Sequence, residues 1–389
     1  MDSSLLGTPA CRFIIGAQHY TAQRCLVIAE IGTGHGNDRT RGRELVSAAI
    51  EAGADCVKFQ HVYADEIIHR NTGLVPLPGG DIPLYARFGQ LSCGPDFLAE
   101  MKTAAESLGG LFLCTPFGLR SARELRAMGV SAFKVASPEL NHLPLLAELA
   151  GYGQPTILSS GVSRLGDIEA ALEIFRVDQA DQATAARPIA LLHCVTAYPA
   201  PAEDYNLRLL PHLAGLFGIP VGVSDHSLDP ILVPALASLC GAVIVEKHIC
   251  LSRRDAGLDD PIALEPANFA SLVQQLRRQA SQTPETTLAE LVDRYGQAAV
   301  TACLGDGRKR LAPSEAANYR RTNRSIHATR AIRRGEALTE ENLVVLRTEK
   351  VLRPGLEPRL LPKLIGRLAA RDLPDGEGVE WADVGAPVA

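Results

Sequence analysis

The chain has 389 residues, of which 46% are hydrophobic and 21% are charged, as is typical of a globular protein with a large buried core. This composition excludes a disordered chain, a collagen and a small disulfide scaffold. Lys and Arg number 39 against 44 Asp and Glu, and the net charge of -5 argues against binding to nucleic acid or to an anionic membrane. Small-molecule chemistry is the function class that remains favoured.

The N-terminus lacks the basic stretch and apolar core of a secretory signal. The longest uncharged apolar run is shorter than the roughly 20 residues that span a membrane. Nine cysteines without a CxxC pair indicate reduced thiols rather than a disulfide framework or a zinc ribbon. We therefore expect a cytoplasmic protein.

Short aliphatic runs alternate with helical patterns along most of the chain. Eight such runs cover residues 25–32, 55–60, 111–116, 132–137, 155–161, 188–199, 219–227 and 242–250. The segments between them carry apolar residues at helical spacing and often end in Gly, so the repeating unit is strand then helix and the sheet is parallel. Eight units predict a (β/α)8 TIM barrel of class α/β, with an open doubly wound sheet as the alternative.

Composition shifts divide the chain into four parts. We predict an N-terminal extension over residues 1–24 and a barrel over residues 25–303. A stretch rich in Gly, Pro and charge predicts a linker over residues 304–322. Short strands and many turns then predict a small, mostly β domain over residues 323–389.

Polar side chains near the carboxyl end of each predicted strand share one parity, so they face the same side of the sheet. These residues are Glu30, Lys58 and Gln60, Thr115, Lys134, Ser159, Thr196 and Tyr198, Ser224 and His226, and Glu246 and His248. In a barrel they converge on the mouth where barrel enzymes place their chemistry.

Two imidazoles end neighbouring predicted strands. His226 and His248 can chelate one divalent ion, because neighbouring strands lie about 4.8 Å apart. With the carboxylates of Glu30 and Asp259 nearby, the pattern favours an open Mn²⁺ or Mg²⁺ site over a closed zinc site. The alternative for either imidazole alone is a hydrogen-bonded core histidine.

Two lysines, Lys58 and Lys134, lie inside otherwise apolar strands. A buried ammonium is costly unless it meets an anion, so the pair predicts a strongly anionic ligand such as phosphate plus carboxylate. The accompanying hydroxyls are those of Thr115, Ser137 and Ser159. The alternative is a set of internal salt bridges with Glu30, Glu139 or Glu246.

A series of motifs resembles the sialic acid synthase family, in the family's order and over about residues 26–383. The motifs are AEIGTGH, GADCVKFQ, CTPF, FKVASPE, LSSG, LLHCVTAYP, VGVSDHS, EKHICL, RSIHATRAIRRGEALTEENL and RPG. Members of this family condense phosphoenolpyruvate with an N-acetylmannosamine-type sugar aldehyde into a nine-carbon 2-keto sugar acid. The last two motifs resemble the antifreeze-like (SAF) domain that follows the barrel in this family.

The resemblance implies a role for each matching residue. His226 and His248 would hold Mn²⁺ or Mg²⁺, and Glu30 would be the catalytic acid/base. Phosphoenolpyruvate would be bound by Lys58, Thr115, Lys134, Ser137, Ser159 and Ser224. The acceptor sugar would be contacted by Gln60, Tyr198 and Asp259. Arg324 of the partner subunit would reach the same sugar, which implies a domain-swapped homodimer.

Departures from the family pattern cluster on the acceptor side. Gly34 precedes His35 where Asn is usual, Thr196 replaces a frequent Asn, Pro138 replaces a Gly, and residues 257–260 read GLDD instead of GPDH. The acceptor is therefore open between N-acetylmannosamine, its 6-phosphate, a diacetamido hexose of the legionaminic or pseudaminic type, and an unusual aldose. Residues 71–83 are a candidate specificity loop or an ordinary surface excursion.

Two other function classes compete with a synthase. A barrel metallohydrolase is disfavoured because the first strand carries no HxH pair and no lone Asp ends the eighth strand. A non-catalytic binder of sugar acids or ice is the remote alternative, since the small domain is dense in Arg and Glu rather than in a flat array of Thr. A synthase requires that phosphate release depend on both a divalent metal and an aldose.

Overall fold

The strands give the framework of the molecule, for which a computed structural model describes residues 12–75, 81–175, 189–255 and 257–387. In chain order they are β1 (Phe13–Ile15), β2 (Gln18–Tyr20), β3 (Leu26–Gly32), β4 (Cys56–His61), β5 (Leu74–Val75), β6 (Ile82–Pro83), β7 (Leu111–Pro116), β8 (Phe133–Val135), β9 (Thr156–Ser159), β10 (Ile189–Cys194), β11 (Val221–Asp225), β12 (Ile244–His248), β13 (Arg324–Ala328), β14 (Leu343–Arg347), β15 (Arg367–Ala369) and β16 (Val384–Pro387).

Eight of these strands form one parallel sheet in the order β7, β4, β3, β12, β11, β10, β9 and β8. Neighbours in this order share parallel ladders. Strands β7 and β8, at the two ends of the order, pack side by side, so the barrel is nearly closed. The predicted TIM barrel is confirmed. The open doubly wound sheet is wrong, because the strand order never reverses around the barrel.

The barrel interior changes from apolar to polar along its axis. The apolar half is filled by Leu26, Ile28, Cys56, Leu113, Ala132, Ile157, Ala190, Leu192 and Ile244. The hairpin of β1 and β2 closes this end, because Phe13, Ile15 and Tyr20 pack into the same cluster. The end of the barrel interior that is lined by polar side chains is therefore the one at the carboxyl ends of the strands.

Helices cover the outside of the barrel and bury a second, larger core against the strands. They are α1 (Arg39–Glu51), α2 (Ala64–Ile67), α3 (Leu84–Leu91), α4 (Pro95–Ser107), α5 (Leu119–Met128), α6 (Leu143–Tyr152), α7 (Leu165–Ile174), α8 (Leu209–Phe217), α9 (Leu232–Leu239), α10 (Pro266–Gln279), α11 (Pro284–Tyr295), α12 (Gln297–Leu304) and α13 (Leu361–Leu364). Local signals set their ends. The Asp38 side chain caps α1, and Gly129 ends α5 with a φ of 73°.

The C-terminal domain is small and mostly β, as predicted. Strand β13 pairs antiparallel with β14, and β15 pairs antiparallel with β16. Its own core consists of Ile326, Ala328, Ile332, Leu338, Leu343, Leu364, Ala369, Leu373 and Val379. Because this cluster is separate from the barrel cores, the domain has its own packing.

This small domain packs on the barrel of its own chain. The Asn141 side chain pairs with the backbone of Arg324, with N–O distances of 2.8 and 3.0 Å. The backbone N–H of Val351 donates to the Thr72 carbonyl at 3.0 Å. The contact therefore uses loops that follow β4 and β8, on the same side of the barrel as the polar mouth.

The predicted linker lies against the barrel for part of its length. The Asn206 side chain accepts a hydrogen bond from the backbone N–H of Gly307 at 2.7 Å. Farther along, Glu315 is only 1% exposed. This segment therefore contributes side chains to the barrel's packing.

Three smaller expectations concern other parts of the chain. Residues 76–80 of the candidate specificity loop lie outside the described residues, and its flanks pair as β5 and β6. Cys11 also lies outside, and every described cysteine is free and buried. Among the described helices, none has the length and apolar character needed to cross a membrane.

Candidate active site

Lys58 and Lys134 extend into the barrel from β4 and β8 and are 4% and 2% exposed. The Lys58 ammonium lies 2.8 Å from Glu30 Oε2 and donates to Thr115 Oγ1 at 3.4 Å. The Lys134 ammonium donates to Ser159 Oγ at 2.6 Å. The predicted strand parity therefore brings both cations and two of the predicted hydroxyls into one interior space.

Glu246 on β12 lies between the two lysines. Its Oε2 is 3.6 Å from Lys58 Nζ and its Oε1 is 3.7 Å from Lys134 Nζ. Ser224 donates to the same carboxylate at 2.9 Å. Strand-end parity predicted Glu246 at this mouth, but as a possible ion-pair partner of the lysines and not as a site residue.

The alternative interpretation, that the lysines form internal salt bridges, also describes contacts in this chain. Lys58 lies near Glu30 and Glu246, and Lys134 lies near Glu246. The geometry distinguishes a tight pair from loose ones. Lys58 and Glu30 are within hydrogen-bond distance, whereas both contacts to Glu246 exceed 3.5 Å. The ammonium groups therefore retain N–H donors that an anionic ligand can use.

Burial and charge shift the pKa values of this cluster in different directions. Burial lowers the pKa of Lys134, and Glu246 only partly opposes that effect. Burial also lowers the pKa of Lys58, but the negative charges of Glu246 and Glu30 outweigh burial. The pKa of Lys58 is therefore above its usual value. Burial would raise the pKa of Glu246, yet Lys134 and Lys58 hold it at about 2. Glu246 is thus ionised at neutral pH.

The two predicted metal ligands lie side by side at the mouth. The ring centroids of His226 and His248 are 5.5 Å apart, and the Tyr198 ring stacks on His226 at 4.3 Å. His226 Nδ1 lies 2.8 Å from the Val195 carbonyl. Because a carbonyl only accepts hydrogen bonds, this assigns a proton to Nδ1 and leaves Nε2 as the nitrogen that could bind a metal. Burial would lower the pKa of His226, but the neighbouring Cys194 raises it to about 9, so a metal at Nε2 would have to displace a proton.

These residues fit a divalent ion that keeps several water ligands. Asp259 Oδ2 lies 3.7 Å from His248 Nδ1, where it can fix the orientation of that ring. Burial lowers the pKa of His248 and so favours the neutral form that binds metals. No group of three or more His, Cys, Asp or Glu side chains suited to a metal is gathered within the described residues. The imidazole pair would therefore need water or substrate oxygens to complete an octahedral shell.

A buried ion pair on the outer face of the barrel supports the histidine strands. Asp225 and Lys247 are cross-strand neighbours, each 1% exposed, with their charged atoms 2.6 Å apart. Lys247 also donates to the Ser227 carbonyl at 2.5 Å. Since Asp225 precedes His226 and Lys247 precedes His248, this pair fixes the two strands that carry the imidazoles.

Two of the predicted acceptor residues, Gln60 and Asp259, lie beside Gly32, whose φ is 58°. Gln60 donates to Glu30 Oε1 at 2.7 Å. A Cβ added at Gly32 would lie 3.2 Å from Gln60 Nε2 and 3.7 Å from Asp259 Oδ2. Tyr198 is 52% exposed, so this side of the mouth opens to solvent.

A second wall of the mouth is built by the loops after β8, β9 and β10. Ser137 Oγ accepts from the Gly161 N–H at 3.0 Å. A Cβ at Gly161 would lie 2.1 Å from Thr196 Oγ1, so only Gly fits. Thr196 Oγ1 is buried without a hydrogen-bond partner. Strand parity predicted Thr196 at the mouth, and the structure places its hydroxyl there.

Arg324 is the predicted site residue that the structure does not bring into this cleft. It is 2% exposed, and its guanidinium donates to Glu139 Oε1 at 3.0 Å and to the Phe117 carbonyl at 2.7 Å. These partners belong to its own chain and satisfy the side chain there. Contact with an acceptor sugar in a partner subunit's barrel stays a prediction, as does the swapped homodimer.

Fold and site together define a class: a parallel barrel enzyme with a cationic, hydroxyl-lined mouth beside an imidazole pair, followed by a small β domain. Residues 45–286 match the NeuB family and residues 323–385 match the SAF domain. The chain belongs to the NeuB family. The resemblance to sialic acid synthases stated from the sequence motifs is thereby confirmed.

Several relatives that match nearly the whole chain carry synthase or polysaccharide biosynthesis names. Spore coat polysaccharide biosynthesis protein SpsE of Bacillus subtilis is 33% identical over 92% of this chain and 93% of its own length. Its crystal structure matches with a TM-score of 0.79 over 96% of this chain and 99% of that chain. The N,N'-diacetyllegionaminic acid synthase of Campylobacter jejuni is 30% identical over 91% of this chain and 98% of its own.

A further solved structure supports the barrel assignment. The N-acetylneuraminic acid (sialic acid) synthetase of Leptospira borgpetersenii is 28% identical and matches with a TM-score of 0.62. The match covers 74% of this chain and 98% of that one. The relatives named as a synthase and as a synthetase differ in the sugar acid that their names give.

Proposed function

We propose that this protein condenses phosphoenolpyruvate with the open-chain aldehyde of an N-acetylmannosamine-like sugar. C3 of phosphoenolpyruvate attacks the aldehyde carbon, water adds at C2, and C–O cleavage releases phosphate and leaves a nine-carbon 2-keto sugar acid. The observation that carries the proposal is the pair of buried lysines, Lys58 and Lys134, aimed into the interior beside two imidazoles.

The lysines suit a substrate that carries both phosphate and carboxylate. The Lys58 ammonium donates to the Thr115 hydroxyl and the Lys134 ammonium to the Ser159 hydroxyl, so both hydroxyls keep their own O–H to donate to a ligand. The Ser224 hydroxyl lies beside them, donating to Glu246. Charge-assisted hydrogen bonds of this kind are stronger than neutral ones, especially where water is excluded. We assign these residues, with Ser137, to holding phosphoenolpyruvate throughout the reaction.

Glu30 is placed to move a proton during the water addition. Its Oε1 accepts from Gln60 and its Oε2 faces Lys58, so both oxygens are oriented before substrate binds. A carboxylate held in this way can take a proton from an attacking water or give one to the acceptor oxygen. Gln60, Tyr198 and Asp259 then form the acceptor side of the cleft.

His226 and His248 would hold Mn²⁺ or Mg²⁺, which when bound supplies Lewis acidity toward the acceptor carbonyl oxygen. The chain's own contribution is to orient the two rings. The Val195 carbonyl fixes the tautomer of His226, and Asp259 faces His248. Positioning both substrates in one cup contributes on the order of several kcal/mol to the rate enhancement.

The acceptor is open between sugars of one chemical type. The relatives are named as synthases of sialic, legionaminic or pseudaminic acids, so each corresponding hexose belongs among the candidates. Departures at Gly34, Pro138 and Thr196 and in the GLDD segment lie in or near the acceptor and phosphoenolpyruvate walls. They support testing diacetamido hexoses and phosphorylated sugars alongside N-acetylmannosamine.

A phosphate-release assay tests the proposal. Phosphoenolpyruvate, Mn²⁺ and a panel of aldoses are incubated with the protein, and the product is identified by mass. We expect phosphate release only when both metal and one aldose are present, with a product equal to aldose plus pyruvate. Release without any aldose would indicate a phosphatase, and no release with any aldose or metal would contradict a synthase.

A further inference from the structure

The segment between the two domains carries a buried carboxylate that touches the mouth of the barrel. Glu315 is 1% exposed, although it lies in a stretch rich in charge, Gly and Pro. Its Oε2 accepts from the backbone N–H groups of Val162 at 2.8 Å and Thr196 at 2.9 Å. Its Oε1 accepts from the Ala312 N–H at 3.2 Å. One side chain therefore joins two loops that follow different barrel strands.

Those two loops form the wall next to the proposed phosphoenolpyruvate site. Val162 follows Gly161, whose N–H donates to Ser137 Oγ. Thr196 carries the buried hydroxyl that has no hydrogen-bond partner. Holding the backbones of these loops therefore sets where the Ser137 and Thr196 hydroxyls lie.

The backbone at Val162 needs such support. Its φ is 43°, a left-handed conformation that a β-branched residue rarely adopts. Glu315 holds its N–H, and Asn323 donates to its carbonyl at 3.1 Å. A strained residue persists when its surroundings fix it from several sides, and such residues cluster at ligand sites.

We propose that Glu315 is a positioning residue for the phosphoenolpyruvate wall, acting through the backbones of Val162 and Thr196. This inference rests on the proposed function and assigns part of that site to the interdomain segment. A carboxylate is required because both its oxygens accept hydrogen bonds. An amide at this position would present an NH₂ group to a backbone N–H.

Two substitutions test the proposal in the full-length protein. In Glu315→Gln, one oxygen can still accept from both loops, but the NH₂ group faces the Ala312 N–H and loosens the side chain. We therefore expect KM for phosphoenolpyruvate to rise only about tenfold, with acceptor KM unchanged. In Glu315→Ala, both backbone N–H groups lose their acceptor, and we expect the rise to exceed about a hundredfold. The graded rise, confined to one substrate, is what a merely structural residue would not give.

A matched control is available in the small domain. Asp383 is also a fully buried carboxylate, and it accepts from Arg353 at 2.7 Å and from the Glu380 N–H at 2.7 Å. Asp383→Asn removes a buried charge whose hydrogen-bond partners lie within the small domain. We expect it to lower stability while leaving KM for phosphoenolpyruvate within about twofold.

Amide hydrogen exchange and direct binding complete the test. In Glu315→Ala, where both amides lose their acceptor, we expect faster exchange at Val162 and Thr196 than in the wild type, with protection restored by phosphoenolpyruvate. Equal rises of both KM values, or unchanged exchange at these two amides, would overturn the assignment. The proposed function fails if the wild type binds phosphoenolpyruvate in calorimetry but reacts with no aldose. In that case the dissociation constants of the Glu315 variants for phosphoenolpyruvate still decide the role of Glu315.

Discussion

Two buried charge clusters lie at the carboxyl side of this barrel, and they are built differently. The mouth cluster consists of Glu30, Lys58, Lys134 and Glu246. The domain-contact cluster consists of Glu139, Arg324 and Arg347. In the mouth cluster only Lys58 and Glu30 pair closely, at 2.8 Å, and both lysine contacts to Glu246 exceed 3.5 Å.

The domain-contact cluster is saturated by comparison. Arg347 donates to both oxygens of Glu139, at 2.9 and 2.8 Å. Arg324 donates to the same carboxylate and to the Phe117 carbonyl. All three side chains are at most 11% exposed. N–H donors that already have acceptors in the protein hold the two domains together. N–H donors without a close acceptor, lying beside hydroxyls, can instead bind a ligand.

The largest expected effect follows from removing a mouth cation. In Lys134→Met, an apolar chain of similar length replaces an ammonium whose pKa is already lowered by burial. We expect turnover to fall at least about a thousandfold, equivalent to about 4 kcal/mol of transition-state stabilisation. Because Glu246 keeps its contacts with Lys58 and Ser224, we expect little change in Tm.

Steady-state phosphate release and thermal unfolding measure the two effects in the same preparation. A large drop in Tm accompanying the loss of turnover would place Lys134 among structural residues. Retained turnover would remove it from the phosphoenolpyruvate site.

The domain-contact cluster should respond in the opposite way, through stability. In Glu139→Ala, two buried guanidinium groups lose their shared carboxylate. Breaking a buried ion pair by removing one partner costs about 3–5 kcal/mol.

Urea unfolding measures this loss of stability in Glu139→Ala. Glu148→Ala is the matched control, because its partner Arg123 is 62% exposed and solvent screens such a pair, so we expect a much smaller loss. Equal losses in the two variants would mean that the domain-contact cluster is not a stabilising one.

The mouth cluster could be predicted from the sequence, whereas the domain-contact cluster could not. Strand parity brought Lys58 and Lys134 together, because alternation along a strand is a local property that a barrel converts into proximity. Glu139 and Arg324 are 185 positions apart, and their pairing depends on how one domain docks on the other. Nothing in the local pattern around RSIHA specifies that docking.

Glu315 was missed for a related reason. Its partners are backbone N–H groups at Val162 and Thr196, and every residue except Pro carries such a group. A segment rich in charge and Gly therefore predicts a linker, although one of its carboxylates is buried. Only the tertiary structure distinguishes that side chain from its exposed neighbours.

A smaller effect is expected for the imidazole pair beside the mouth cluster. In His226→Ala one of two ring nitrogens facing the same space is lost, and we expect Mn²⁺ affinity to fall about a hundredfold or more. Electron paramagnetic resonance of free Mn²⁺ measures this without turnover. The control is His212→Ala, since His212 lies on α8 and contacts the Gly307 carbonyl. Equal Mn²⁺ affinity in the wild type and His226→Ala would exclude this histidine as a ligand.

The smallest expected effect separates the two clusters by pH. His142 is buried beside the domain-contact cluster, and its pKa is well below the usual value, first because of burial and then because of Arg324 and Arg347. Below about pH 6.5 the unfolded chain therefore binds a proton that the folded chain does not, so the free energy of unfolding falls as pH falls. Glu246 in the mouth cluster is an acid whose pKa is lowered to about 2. Its contribution to the free energy of unfolding is complete above about pH 4.5 and is lost only as pH falls below that value.

Urea unfolding between pH 7 and pH 5 isolates the histidine contribution. Replacing His142 by Gln should reduce the slope of unfolding free energy against pH by up to about 1.4 kcal/mol per pH unit. His19→Gln, at an exposed position, should leave the slope as in the wild type. An unchanged slope in His142→Gln would mean that the domain-contact cluster tolerates a third positive charge, and that it is no more saturated than the mouth cluster.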